Sequence, residues 1–183
     1  MKDGWLPREE WLKTLEARPA SAAVLIENST GELLIVKACY KPHWSVPGGV
    51  IDAGETPLQA ALREVAEEVG LTLRPADLTF YAIASRHSPE TMLYQFIFRA
   101  QLDDKQLGAI LLGDGEIEAY EFVSRQAVLA SDRQFAWSIQ HWAEGKLGGY
   151  VETNIECDSK QHGETITRYI AIGAKEGNQS WES

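Results

Sequence analysis

Cysteine is scarce in this chain: Cys39 and Cys157 are the only two in 183 residues, far apart and without paired spacing. That excludes a disulfide-dense secreted scaffold and fits a thiol-containing cytoplasmic protein. Long apolar runs are missing, and none approaches the ~20 residues of a membrane span, so no membrane partner is expected. The opening residues, Met1 to Glu10, are polar and acidic, unlike an export signal. Long basic blocks are also missing. With 17 Lys and Arg against 27 Asp and Glu, the net charge is −10, and nucleic acid is not an expected partner. There are no repeats or low-complexity tracts.

The remainder reads as a globular protein. Hydrophobic content of 44 % and charged content of 24 % are ordinary for that class. The length suits one domain with a sizeable core plus extensions. An acidic protein acting on an anionic substrate needs a cation or a local basic pocket.

The most informative stretch is Gly49 to Leu71. Thr56 suits an N-cap, Pro57 the first helical position, and Gln59 the third position of a capping box. Gly70 suits the left-handed residue that ends a helix. Between them Leu58, Ala61, Leu62, Val65 and Val69 recur at three- and four-residue spacing, the core face of an amphipathic helix. Glu64, Glu67 and Glu68 stand at i, i+3 and i+4, on a face rotated away from that stripe. Three like charges so spaced repel by a few tenths of a kcal/mol per pair, roughly, in an isolated helix. A hard cation such as Mg²⁺ or Mn²⁺ relieves this, because both prefer carboxylate oxygen. Taken alone, Glu-x-x-Glu-Glu equally describes a solvated acidic face.

Ahead of the helix, Trp44-Ser-Val-Pro-Gly48-Gly49-Val-Ile reads as strand, turn and strand, with the glycines allowing close backbone approach. Glycine, five residues, glutamate, seven residues, then Arg63-Glu64-apolar-x-Glu67-Glu68-x-Gly70-apolar resembles the box of the Nudix hydrolases at all nine defining positions. The resemblance implies an α/β fold, the Nudix-type α/β/α sandwich with a mixed sheet. It implies metal-dependent hydrolysis of a diphosphate linkage in a nucleoside diphosphate joined to another moiety. It makes Glu64 and Glu68 the principal Mg²⁺ or Mn²⁺ ligands, with Glu67 a third ligand or a partner of metal-bound water. The Gly48 carbonyl faces the metal by the same resemblance. Gly49, Glu55, Arg63 and Gly70 are its architectural positions, Glu55 and Arg63 holding loop against helix.

In some relatives a glutamate from a later loop acts as general base, and here Glu116 and Glu118 are candidates. For substrate contacts, Trp44, Tyr81 and Tyr94 can stack on a ring. Arg86, in the turn-like Arg86-His-Ser-Pro-Glu90, can meet phosphate. Nothing in the sequence separates one small nucleotide-type substrate from another. A catalytically silent nucleotide-binding module is the alternative, although such relatives often carry degraded boxes. An isoprenoid-diphosphate isomerase of related fold needs a catalytic cysteine in a pattern that is not seen here.

Along the chain, residues 1–20 form an N-terminal extension with a helix from Pro7 to Ala17, placing Trp11, Leu12 and Leu15 on one side. The catalytic domain spans 21–145. Its expected strands are Ala22–Glu27, Glu32–Lys37, Leu78–Ser85, Met92–Leu102 and Ile117–Val123, and its later helices Ser124–Leu129 and Asp132–Gly145. Cys39 is expected in the core. Residues 146–183 are a C-terminal extension whose runs Tyr150–Ile155 and Thr165–Ile172 suit a hairpin. Such a hairpin must dock on the core sheet, the N-terminal helix or a second subunit. The expectation is a homodimer interface, with Lys175–Ser183 frayed.

Overall fold

Strand β1 (Ala20–Glu27) is buried on both faces from Ala22 onward, which is why it reads as a continuous apolar run rather than an alternating one. The computed structural model describes residues 6–87, 91–113, 115–158 and 163–172, with side chains through residue 153. Around β1 run β2 (Leu33–Ala38), β3 (Gly48–Val50), β4 (Thr79–His87), β5 (Met92–Gln101), β6 (Ile117–Val123), β7 (Gly149–Asp158) and β8 (Gly163–Ile172). Their order is β6-β2-β1-β5-β4-β7-β8, with β3 also on β1. The β1–β5 and β4–β7 pairs are parallel and the others antiparallel, so the sheet is mixed.

Alternation along β1 divides the core in two. Ala22, Val24 and Ile26 face helix α2 (Pro57–Val69), which contributes Ala60, Ala61, Val65 and Val69. A short α3 (Asp104–Leu107) follows β5, and Ala23 and Leu25 face α4 (Arg125–Leu129) and α5 (Trp137–Ala143), packing with Val128, Ile139 and Trp142. The result is the α/β/α sandwich expected from the sequence. Each fully buried aliphatic side chain contributes about 1.5–3 kcal/mol. Glu27, only 4 % exposed, accepts from Trp142 Nε1 at 2.7 Å and Arg99 Nε at 2.9 Å. That pairing ties β1 to β5 and α5 and satisfies a carboxylate that would otherwise be costly to bury.

The Asn28–Gly31 turn joins β1 to β2, with the Asn28 N–H donating to the Glu32 carbonyl at 3.0 Å. Several expectations need correction. The first helix, α1, covers only Arg8–Lys13, and Trp11, Leu12 and Leu15 are exposed. Residues 132–136 are not helical. Their backbone is bonded to Trp44 instead, through Trp44 N–H to the Gln134 carbonyl and Ala136 N–H to the Trp44 carbonyl. Cys39 is exposed, because the chain has turned out of β2 by that residue. Arg86 and His87 continue β4, opposite Leu93 and Met92, rather than forming a turn. Residues 88–90, Asp114 and the stretch from Lys175 to Ser183 lie outside the described residues.

The C-terminal hairpin does form, as β7 and β8, but it docks on its own chain. β7 runs parallel to β4 from Ala82↔Gly149 to His87↔Asn154. Within the chain the core sheet is therefore the hairpin's partner, and backbone hydrogen bonding to β4 satisfies the need for one. Deleting residues 148–183 would remove the wholly buried Val151 and open the β4 edge. We expect a loss of about 3 kcal/mol, or roughly 6–12 °C in Tm for a chain of this size. Thermal melts checked by circular dichroism measure this, and an unchanged Tm would mark the segment as a dispensable tail.

Candidate active site

Helix α2 starts and stops as its sequence dictates. Thr56 caps it, accepting from the Gln59 N–H at 3.3 Å, while the Thr56 N–H donates to the Gln59 side chain at 2.9 Å. Gly70 closes it at φ 70°, the left-handed region that glycine occupies without strain. This fixes the register at which the acidic residues meet the β3 turn.

The acidic residues do not share one solvated face. Glu67 is exposed, Glu64 is partly buried, and Glu68 is buried at 5 % exposure beside Val65 and Val69. This corrects the sequence expectation: Glu68 lies on the edge of the apolar stripe, under the turn. There its Oε2 accepts from the Gly48 N–H at 3.0 Å. Gly49 lies against Glu64, and a Cβ at that position would collide with the Glu64 carboxylate. The two glycines thus bring β3 backbone into contact with two of the helix carboxylates.

Arg63 organises the other side. Its Nε and Nη2 grip Glu55 through both carboxylate oxygens at 3.0 Å, and Nη2 also donates to the Val50 carbonyl at 3.0 Å. Its Nη1 donates to Glu64 at 2.7 Å and Glu67 at 2.9 Å. These bonds, that to Glu55 foremost, raise the Arg63 pKa further and lower that of Glu55. One guanidinium therefore connects the loop, the start of the box and two of the helix carboxylates.

Among the described residues Glu68 has no comparable cation. Loss of hydration pushes its pKa up to about 7, and Glu64 and Glu116 push the same way, against the Gly48 N–H and the charge of Lys41. Glu116 thus lies within electrostatic reach of the box, with its carboxylate accepting from the Tyr40 hydroxyl at 2.9 Å. Glu118 is placed differently: it lies 3.6 Å from Lys37 Nζ. Trp44 and Tyr81 pack against the α5-side core, Arg133 covering the Trp44 ring at 4.4 Å and Arg99 the Tyr81 ring at 5.9 Å. Tyr94 is partly buried on β5, and Arg86 lies 5.4 Å from the Trp137 ring. The sequence reading passed over Tyr40 and Lys41. Neither carries a signal in the sequence, because only the fold brings the end of β2 beside the start of β6.

Among the described residues, no three ligating side chains already converge on one point. The reason is local, since Glu64 and Glu67 are held on Arg63 while Glu68 turns to Gly48. The donor set still fits a hard divalent cation: it is all oxygen, partly desolvated, and includes a buried carboxylate without a cationic hydrogen-bond partner.

A mixed sheet thus lies between helices, and a carboxylate-bearing helix is seated on a glycine turn. The chain belongs to the Nudix family, whose NUDIX domain model matches residues 17–143. It is 34 % identical over 132 residues to an RNA pyrophosphohydrolase of Gluconobacter oxydans, covering 63 % of this chain and 76 % of that protein. An RNA pyrophosphohydrolase of Psychrobacter cryohalolentis is 42 % identical over 59 residues, only 32 % of this chain and 34 % of that relative. In structure, the chain resembles the MutT protein of Bacillus halodurans with a TM-score of 0.60 at 19 % identity, covering 83 % of this chain and 96 % of that one. The NUDIX domain together with relatives named as pyrophosphohydrolases indicates a pyrophosphohydrolase, and hydrolases of this family generally need a divalent metal. No helix among the described residues is long and apolar enough to cross a membrane.

The raised pKa of Glu68 has a consequence for stability. Its folded value, about 7, lies above the ordinary 4.5, so folding favours the protonated form. The contribution is complete below pH 4.5 and is lost as pH rises through 7. By linkage it amounts to about 3 kcal/mol across that window. Metal-free protein should therefore lose stability toward urea between about pH 5 and pH 7.5 by an amount of that order. Glu68→Gln should flatten this part of the profile. Equal slopes in the two proteins would show that Glu68 titrates normally.

Proposed function

We propose that the protein is a Mg²⁺- or Mn²⁺-dependent hydrolase that cleaves a diphosphate linkage in a nucleoside diphosphate joined to another moiety. The observation that carries this reading is the buried Glu68 on the Gly48 N–H, flanked by Glu64 and Glu116. Glu64 and Glu68 would hold the cation, and Glu67 would be a third ligand or a partner of its bound water. The cation supplies charge neutralisation at phosphate oxygens and a lower pKa for bound water. Glu116 takes a proton from the attacking water, whose oxygen bonds to one phosphorus. The bridging P–O bond breaks, and its electron pair leaves on the departing phosphate oxygen. Arg63 and Glu55 keep the β3 turn and the helix in register and move no proton. Glu118, engaged with Lys37, is the weaker base candidate. A cytoplasmic setting goes with this reading, as two cysteines without paired spacing suit a reducing compartment.

The Gluconobacter oxydans relative, an RNA pyrophosphohydrolase, favours one version of the substrate, an RNA end that carries a phosphoanhydride. Such an end presents a phosphoanhydride chain on a nucleoside, the same chemistry at the site, and requires no extended contact with the nucleic-acid backbone. The test is a coupled phosphate-release assay with Mg²⁺, Mn²⁺ or EDTA. Its substrates are ADP-ribose, nucleotide sugars, dinucleoside polyphosphates, oxidised nucleoside triphosphates and a 5′-triphosphorylated oligoribonucleotide. Metal-dependent turnover of at least one supports the reading. Substrate binding without turnover would favour the silent module, and turnover in EDTA would remove the metal from the proposal.

A further inference from the structure

We infer that Tyr40 is a positioning residue, holding the Glu116 carboxylate toward the box glutamates so that one of its oxygens stays open to the attacking water. The inference rests on the proposed hydrolase reading and adds a residue that the box does not contain.

The loop carrying Glu116 is fixed by the turn that follows β2. The Cys39 N–H donates to the Glu116 carbonyl at 3.0 Å, and the Cys39 thiol reaches the Gly115 carbonyl at 3.4 Å. Immediately beyond, Ala38 pairs with Ile117 at the start of β6. These contacts set the backbone of Glu116 but not its side chain. The side chain is exposed, and an exposed glutamate has several rotamers to choose among. The Tyr40 hydroxyl, 2.9 Å from Oε1, selects one of them. Oε2 has no hydrogen bond among the described residues, and it is the oxygen left to accept a proton.

Tyr40 suits the task because it remains a donor. Lost hydration, the hydrogen bond to Glu116 and the charges of Glu116, Glu68 and Glu64 push its pKa up to about 12. With the residue 62 % exposed, the carboxylates are the better-founded cause. That Glu64 and Glu68 act on Tyr40, and Glu116 on Glu68, places all four groups in one electrostatic neighbourhood. Lys41 Nζ, 5.1 Å from the Tyr40 ring centroid, steadies the ring from one side. A tyrosine on an exposed turn with no role beyond packing has no need to face a carboxylate of the active site.

The test uses full-length protein and whichever panel substrate the wild type hydrolyses. Tyr40→Phe should lower kcat about tenfold, the scale of one hydrogen bond to a charged group, with KM within twofold. Glu116→Gln should lower kcat further, and adding Tyr40→Phe to it should change nothing more. The acid limb of the pH–rate profile should move in Tyr40→Phe, which a purely structural role would not produce. A second readout is independent of turnover: the ¹³Cζ resonance of Tyr40, assigned by its loss in Tyr40→Phe. It should remain that of a neutral phenol at about pH 11 in the wild type and titrate at lower pH in Glu116→Gln. Wild-type kcat in Tyr40→Phe, an undiminished tenfold effect in the Glu116→Gln background, or a Tyr40 resonance indifferent to Glu116→Gln each overturns the inference. If the wild type hydrolyses nothing on the panel, the hydrolase reading falls and the resonance alone still decides the pairing.

Discussion

Replacing Glu68 by Gln should cost at least about a hundredfold in kcat, or 2.7 kcal/mol of transition-state stabilisation, while leaving the fold intact. The amide oxygen can still accept from the Gly48 N–H, so the turn keeps its anchor. What disappears is the charge, and with it the proposed cation ligand. The same substitution should raise the stability of metal-free protein near neutral pH, because no carboxylate then has to be ionised at a site 5 % exposed. Opposite signs for activity and stability are a demanding expectation. A merely structural glutamate would lose both together. Activity within a few-fold of wild type would reject Glu68 as a principal ligand, and an unchanged apo stability would reject its desolvation as the cause of the raised pKa.

The part of the fold closest to the chemistry was legible because its residues carry positional meaning. Thr56, Pro57 and Gln59 open a helix, and Gly70 ends it, by local chemistry that tertiary structure had no reason to overrule. The strands of the central sheet were legible for the same reason, as apolar β-branched runs between turn residues. What the sequence could not show was depth. Spacing puts Glu64, Glu67 and Glu68 within reach of one another, but only the packing of α2 beneath β3 decides that Glu68 is the buried one. Residues 132–136 read as helix because Phe135 is in phase with Ile139 and Trp142, yet a bridge to Trp44 captures their backbone. Tyr40 and Lys41 were invisible for a further reason. Their meaning depends on the pairing of β2 with β6, a contact between segments about eighty residues apart. The docking of β7 on β4 is equally non-local, and the need for a partner was legible while its identity was not.

Arg63→Ala should damage stability and activity together. In the wild type one guanidinium makes five hydrogen bonds, to Glu55 twice, to the Val50 carbonyl, to Glu64 and to Glu67. Glu55 and Glu64 side chains are only 15 % and 14 % exposed, so removing Arg63 leaves two poorly solvated carboxylates without their cation. Breaking a buried pair in this way costs about 3–5 kcal/mol, and since Arg63 itself is 27 % exposed the expected loss is nearer 2–3 kcal/mol. The loop from Val50 to Glu55 then loses its tether to the helix, and kcat should fall about a hundredfold through misplacement of the β3 turn. Arg63→Lys separates charge from geometry. Lysine restores a positive charge but cannot grip Glu55 through both oxygens while reaching Val50, so it should recover only part of the stability. Urea unfolding, Mn²⁺ titration and steady-state kinetics on the three proteins distinguish the roles. An Arg63→Ala protein as stable as wild type, with unchanged metal affinity and a collapsed kcat, would make Arg63 a participant in the chemical step rather than the clamp that its five hydrogen bonds describe.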